Sequence, residues 1–363
     1  MNAMRLDPAR FAGRHEGKDV ALYTLRGPDG FEVAVCNLGA KILQILVPDG
    51  QGGATDVALG HDSLEQLITG LPSVGAFVGR YANRIAHARF TLDGQTHQLS
   101  ANDGPHCLHG GTVGSRQRVF DVRQATQDQL DLALTFEDGE QGFPGRLLLD
   151  LSYRLVAPAT LVIEYSAHCE GRATVANFTS HGFFNLAGHA AGDARAHRFT
   201  LPATQFLPTS AGRIPQAGPA VAVAGRALDF RAGRTLAQAL AMDDAQLDII
   251  SPRGVDHGFL TPVSTPGELQ LQARVDEPVS GRWLEVWSTE PSVQFYAGGA
   301  LDGSLPKHAG KGGVVYGPFA GFCLEPQYYP DAPNRPDFPS TVLRPGETRT
   351  GRMEYRFGQP PGR

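Results

Sequence analysis

The stretch LLLDLSYRL at residues 147–155 decides the fold. Leu147, Leu149, Leu151, Tyr153 and Leu155 fall on one side, with Leu148, Asp150, Ser152 and Arg154 opposite, which is the period of two expected of a half-buried β-strand. Leu130, Leu132, Leu134 and Phe136 repeat the pattern upstream, and Leu161, Ile163 and Tyr165 repeat it downstream. Leu269, Leu271, Ala273 and Val275 continue it, and the aromatic-rich run Trp283 to Trp287 suits a more buried strand. Pro28-Asp29-Gly30, Pro48-Asp49-Gly50, Asp93-Gly94 and Glu137-Asp138-Gly139 supply turn residues between such runs. Helical periodicity is confined to Thr235–Asp243 and the shorter Leu64–Ile68. Many short strands without alternating helices predict an all-β protein, a large antiparallel β-sandwich. No linker or charge block divides the chain and no fixed-period repeat appears, so residues 1–363 read as one domain.

Composition narrows the function classes. The 363 residues carry a net charge of -5 with scattered basic side chains, which gives no footprint for nucleic acid. Met1 to Phe11 lacks the apolar core of a secretory signal, and no later run is long enough to span a membrane. Cys36, Cys107, Cys169 and Cys323 are isolated, without C-x-x-C spacing, as expected of a reduced cytoplasmic protein. Asn177-Phe178-Thr179 matches a glycosylation sequon and is read as chance.

Generic cofactor motifs fail. Gly310-Lys311-Gly312-Gly313 has no Ser or Thr after its lysine, and no dinucleotide fingerprint follows a strand. His106-x-x-His109 lies in a Gly/Pro-rich loop with no nearby third ligand, so neither a metal nor any other cofactor is expected. Five polar clusters remain: Asn83-Arg84, His109, His181, Asp256-His257 and Glu325. Each alone has an ordinary explanation: a surface ion pair for Arg84, a capped turn for His109, a satisfied strand-side imidazole for His181, a turn residue for Asp256, a solvated charge for Glu325.

Their order and contexts together resemble the aldose 1-epimerase (galactose mutarotase) family. The resemblance runs through VCNLGAKILQILVPD at 35–49, DVALGHDSLEQL at 56–67, GRYANRI at 79–85 and HCLHGG at 106–111. It continues through QGFPG at 141–145, NFTSHGFFNLAG at 177–188, VDHGF at 255–259 and VQFYAGG at 293–299. The most specific block is GFCLEPQYYPDAPNRPDFPS at 321–340. The resemblance implies the large β-sandwich already read from the strands. It further implies Glu325 as general base, His181 as general acid, and Asn83, Arg84, His109, Asp256 and Gln294 as binders of sugar hydroxyls. Phe183 and Tyr296 are candidates to stack on the sugar's apolar face. The family pattern Asn-His-Ser-Tyr-Phe-Asn becomes Ser180-His181-Gly182-Phe183-Phe184-Asn185, and Gly299 stands where many members carry Asn.

Exchange of anomers requires a base to take the proton of the anomeric hydroxyl while an acid protonates the ring oxygen. With ordinary pKa values of ~4.3 and ~6.5, a glutamate is the charged base and a histidine holds a proton with modest support from a carboxylate such as Asp256. The expected partner is a free monosaccharide, galactose or glucose, bound by a monomer or homodimer. The rival readings are a sugar-binding protein without turnover, a glycoside hydrolase using Asp256 and Glu325 as paired carboxylates, and an epimerase of phosphorylated hexoses.

Overall fold

A computed structural model of the chain describes residues 4–261 and 267–359. The alternating stretch forms the strand Arg146–Val156, buried at every second position from Leu147 to Leu155. It pairs with Gln129–Phe136 on one side and Thr160–Glu170 on the other. These strands belong to a nine-stranded antiparallel sheet that runs from Asp121–Ala125 through Thr348–Gly358, Trp283–Ser288 and Gln270–Asp276 to the short edge strands Arg198–Thr200 and Arg234–Thr235.

The nine-stranded sheet shares one apolar core with two smaller sheets. A four-stranded sheet, Leu22–Arg26 to Ala54–Asp56, contributes Val33, Val35, Ile45 and Val47. A six-stranded sheet has the order Phe183–Phe184, Phe322–Gln327, Ser292–Tyr296, Asp256–Leu260, Gln205–Phe206, Val221–Ala222. Its Phe295 ring stacks on Phe199 of the large sheet at 4.6 Å, and Phe184 meets Tyr355 edge-on at 5.1 Å. The layers are therefore joined by aromatic side chains, each a large apolar area withdrawn from water.

Alternation in the six-stranded sheet sets up the site. Val293, Phe295, Phe322, Leu324 and Phe259 belong to the shared core. Gln294 is paired with Glu325 on one neighbour and Gly258 on the other, so these three, with Asp256 two residues from Gly258, lie on the opposite face.

Two expectations change in detail. The Trp283–Ser288 strand is half-buried, not fully: Leu284, Val286 and Ser288 point inward, while Trp283 and Trp287 lie outside under the guanidinium groups of Arg274 and Arg356. Aromatic density marked a strand there, but the rings cover the outer face through cation–π contacts. The helix expected over Thr235–Asp243 is the shorter Leu236–Leu240, started by a capping box from Thr235 and Gln238. The helix expected over Leu64–Ile68 forms as Leu64–Thr69, and a further one, Ala245–Asp248, has no periodic signal. Asp93 and Gly94 form a two-residue hairpin turn, both with positive φ of 51° and 77°. Asn177 is fully buried and hydrogen-bonded to Ala82, Tyr328 carbonyls and the Tyr328 N–H, which removes it from glycosylation.

Phe295 packs against both Phe199 and Phe230. Phe295→Ala should cost about 3–5 kcal/mol, read as a lower denaturation midpoint in urea.

Candidate active site

Glu325 sits mid-strand in Phe322–Gln327 and is buried. Desolvation by burial pushes its carboxyl well above the usual carboxylate range, Asp256 adds to the rise, and Arg84 opposes it. Its Oε2 has no hydrogen-bond partner and lies 3.6 Å from His181 Nε2.

His181 follows the strand Thr179–Ser180 and is anchored by its backbone: its N–H donates to Ala76 O and its carbonyl accepts from Gly75 N–H. The imidazole stacks on Phe183 at 5.1 Å and meets the edge of His109 at 5.2 Å. Phe183, where the family pattern has Tyr, therefore orients the histidine by ring packing. The neighbouring Gly182 leaves no room for a larger residue, since a Cβ there would lie 2.7 Å from the Phe184 ring. Burial lowers His181 to about 4, with Arg116 adding to the fall and Asp256 opposing it. Ordinary pKa values imply a charged Glu–His pair; burial drives both groups toward their neutral forms.

Asn83 and His109 form a reciprocal clasp. The His109 N–H donates to Asn83 O at 2.9 Å, and the Asn83 N–H donates to His109 Nδ1 at 3.2 Å. Both residues hold left-handed backbone, φ 61° and 52°, at a cost of order 1–3 kcal/mol each. Gly110 continues the turn at φ 82°, where a Cβ would lie 2.4 Å from Gly79 O. Because Nδ1 accepts, the neutral ring carries its proton on Nε2, so His109 acts as a donor. Burial keeps it neutral by lowering its pKa well below the ordinary value.

Arg84 opens the short strand Arg84–Ile85 and gives its Nε to Asp103 at 2.6 Å. The surface ion pair that explained Arg84 on its own is present, and Arg84 also lines the cleft. Asp256 accepts from Gln294 Nε2 at 2.7 Å through one oxygen, and Arg213 Nε lies 3.4 Å from the other. Gln294 Oε1 is buried without a hydrogen-bond partner, and a Cβ on Gly258 would lie 3.4 Å from it.

These groups converge. Asn83, Arg84, His109, His181, Asp256 and Glu325 line one cleft of about 180 Å³, with Gln294 behind Asp256. Phe183 and Tyr296 line it too, and Ala300 N–H donates to the Tyr296 hydroxyl. Arg213, Ser73, Lys307 and His308 add polar groups to the wall and were not singled out from the sequence. They come from loops without periodicity; a charged residue inside the Gly- and Ser-rich turn around Arg213 was the one available sign. His106 does not join His109: its Nδ1 accepts from the His87 N–H instead. Three donor atoms that a divalent cation could use do gather, from His109, His181 and Glu325, within 4.8 Å of one another. A cation there would occupy the acceptors that proton transfer needs.

A small cleft, a facing carboxylate and imidazole, and a ring of directional hydrogen-bonding groups suit a compact polyhydroxylated molecule. The family model described as aldose 1-epimerase matches residues 21–356. Bovine galactose mutarotase is 40% identical over 329 residues, 91% of this chain and 92% of that protein. Aldose 1-epimerase of Escherichia coli K12 is 36% identical over 344 residues, 94% and 96% of the two chains. An aldose epimerase homologue from C. elegans superposes with a TM-score of 0.85 at 26% identity, covering 94% of this chain and 99% of that one. Galactose 1-epimerase from Lactobacillus acidophilus gives 0.81 at 26% identity over 96% and 97%. The chain belongs to the aldose 1-epimerase family, isomerases that act on carbohydrates.

Proposed function

We propose that the protein is a mutarotase for a free aldose, with galactose the first substrate to test because bovine and bacterial relatives carry that sugar in their names. The observation that carries the reading is His181 Nε2 facing an unpartnered Glu325 Oε2 at 3.6 Å inside the cleft. Glu325 takes the proton of the anomeric hydroxyl, and His181 protonates the ring oxygen as the C–O bond breaks. Rotation about the bond next to the aldehyde exposes its other face, and the two groups act in reverse to close the ring. Only one proton is needed by the pair at any moment. Burial favours Glu325 as its holder; hydrogen bonds from sugar hydroxyls and the attraction between the two groups favour its passage to His181.

The remaining groups hold the sugar. Arg84 and the His109 Nε2–H donate, while Asp256 and Gln294 Oε1 accept. Asp256 is engaged by Gln294 and Arg213 through its two oxygens, which supports a binding role over that of a hydrolase's second catalytic carboxylate. The four free, buried thiols suit the reducing cytoplasm, and we read residues 1–363 as one catalytic unit.

Glu325→Gln and His181→Asn should each lower kcat/KM for α-galactose about 100-fold or more, followed by polarimetry at matched folded concentrations. The working pair carries one proton, so activity falls on the acid side as His181 gains a second proton near pH 4 and on the alkaline side as Glu325 loses the last one. The Asp256 charge raises both groups, so Asp256→Asn should move both limbs of the kcat/KM–pH profile to lower pH. Exhaustive chelation should leave the polarimetric rate unchanged; a loss restored by zinc would place a cation among His109, His181 and Glu325.

A further inference from the structure

A second cavity, of about 260 Å³, lies beside the cleft and has Lys41, Arg116, Gln117, His15 and Glu16 in its wall. Lys41 opens the strand Lys41–Pro48 opposite Cys36 and is 1% exposed. Among the described residues its Nζ has no hydrogen-bond or ion-pair partner. The other deeply buried lysine shows what is missing: Lys311 Nζ donates to Asp56, Leu43 O and Ala58 O. Without such acceptors the Lys41 ammonium depends on what fills the cavity for its hydrogen bonds.

Arg116 shares the same wall and is 6% exposed. It donates to Ser73 Oγ and Gly111 O, both at 3.3 Å, while among the described residues its Nε is unpartnered and no carboxylate lies within ion-pair distance. The Cys36 thiol opposite Lys41 cannot serve as counter-ion, since burial pushes it up to about 11. Burial lowers Lys41 to about 8, and Arg116 contributes to that fall. The acidic side chain in the lining, Glu16, is exposed at the surface. Two buried cations thus border one open cavity, Lys41 without an acceptor and Arg116 without a carboxylate partner among the described residues.

We propose that this cavity binds a small oxyanion, a phosphate or carboxylate group, held by Lys41 Nζ and the Arg116 guanidinium. A compact ammonium and a planar donor fork are complementary to oxygens that only accept. Arg116 also connects the two cavities. Its partner Ser73 lines the catalytic cleft, and its charge acts on both His109 and His181.

The test is thermal unfolding of the full chain in rising concentrations of sodium phosphate, sodium acetate and sodium chloride at matched ionic strength. It compares wild type with Lys41→Met, Arg116→Gln and Glu325→Gln. A specific anion raises Tm with the saturating dependence of ligand binding, whereas preferential exclusion of salt does not saturate. The expected result is a saturable rise with phosphate or acetate in wild type and Glu325→Gln, none in Lys41→Met, and at least tenfold weaker apparent affinity in Arg116→Gln. Without added anion, Lys41→Met should unfold at a higher temperature than wild type. The stronger salt identifies the oxyanion source, and Arg116→Gln carries the comparison if Lys41→Met does not fold. Equal shifts in all four proteins, a chloride response matching the oxyanions, or no saturable shift would overturn the proposal. Retention in Glu325→Gln separates this site from the catalytic cleft.

Discussion

The register of Ser292–Tyr296 between its two neighbours governs both the core and the cleft. Phe295 must enter the shared core with Val293, Leu324 and Phe322, and this sends Gln294 and its cross-strand partner Glu325 to the other face. A slip of one residue would exchange the two sets, exposing the aromatics and burying the carboxylate between the sheets. The apolar pattern that closes the sandwich thus fixes where the carboxylate stands. Aromatic contacts between layers, such as Phe199 with Phe295, make that position rigid.

Rigidity has an electrostatic consequence. Glu325 has surrendered water, receives no hydrogen bond at Oε2, and feels the charge of Asp256. His181 is equally dry, packed between Phe183 and His109. Both groups are therefore poised toward neutrality, and a sugar that brings hydroxyl groups supplies part of the solvation they lack. Catalysis in this account depends on differential stabilisation: hydrogen bonds from substrate favour the charged arrangement that burial alone disfavours.

Much of this was legible in the sequence, for identifiable reasons. Period-two alternation at Leu147–Leu155 and its neighbours reports burial on one face, and those strands appeared where the pattern placed them. The Trp283–Trp287 run was read as too buried, because hydrophobicity cannot distinguish a ring in the core from one covered by arginine. Asn83, Arg84, His109, His181, Asp256 and Glu325 carried motif context, and all six line the cleft. Arg213, Lys307 and His308 did not, since their membership depends on how loops fold over the sheet. The displaced ionisation of Glu325 and His181 was also hidden, because desolvation is a property of the packed state.

The most direct test follows the ionisation of Glu325. A ¹³C-detected NMR titration of its side-chain carboxyl, assigned by the signal lost in Glu325→Gln, would be run on the free protein and on the protein saturated with galactose. The account predicts a midpoint well above the ordinary glutamate value in the free protein and a lower one when sugar occupies the cleft. A midpoint near ~4.5 in both states would contradict it.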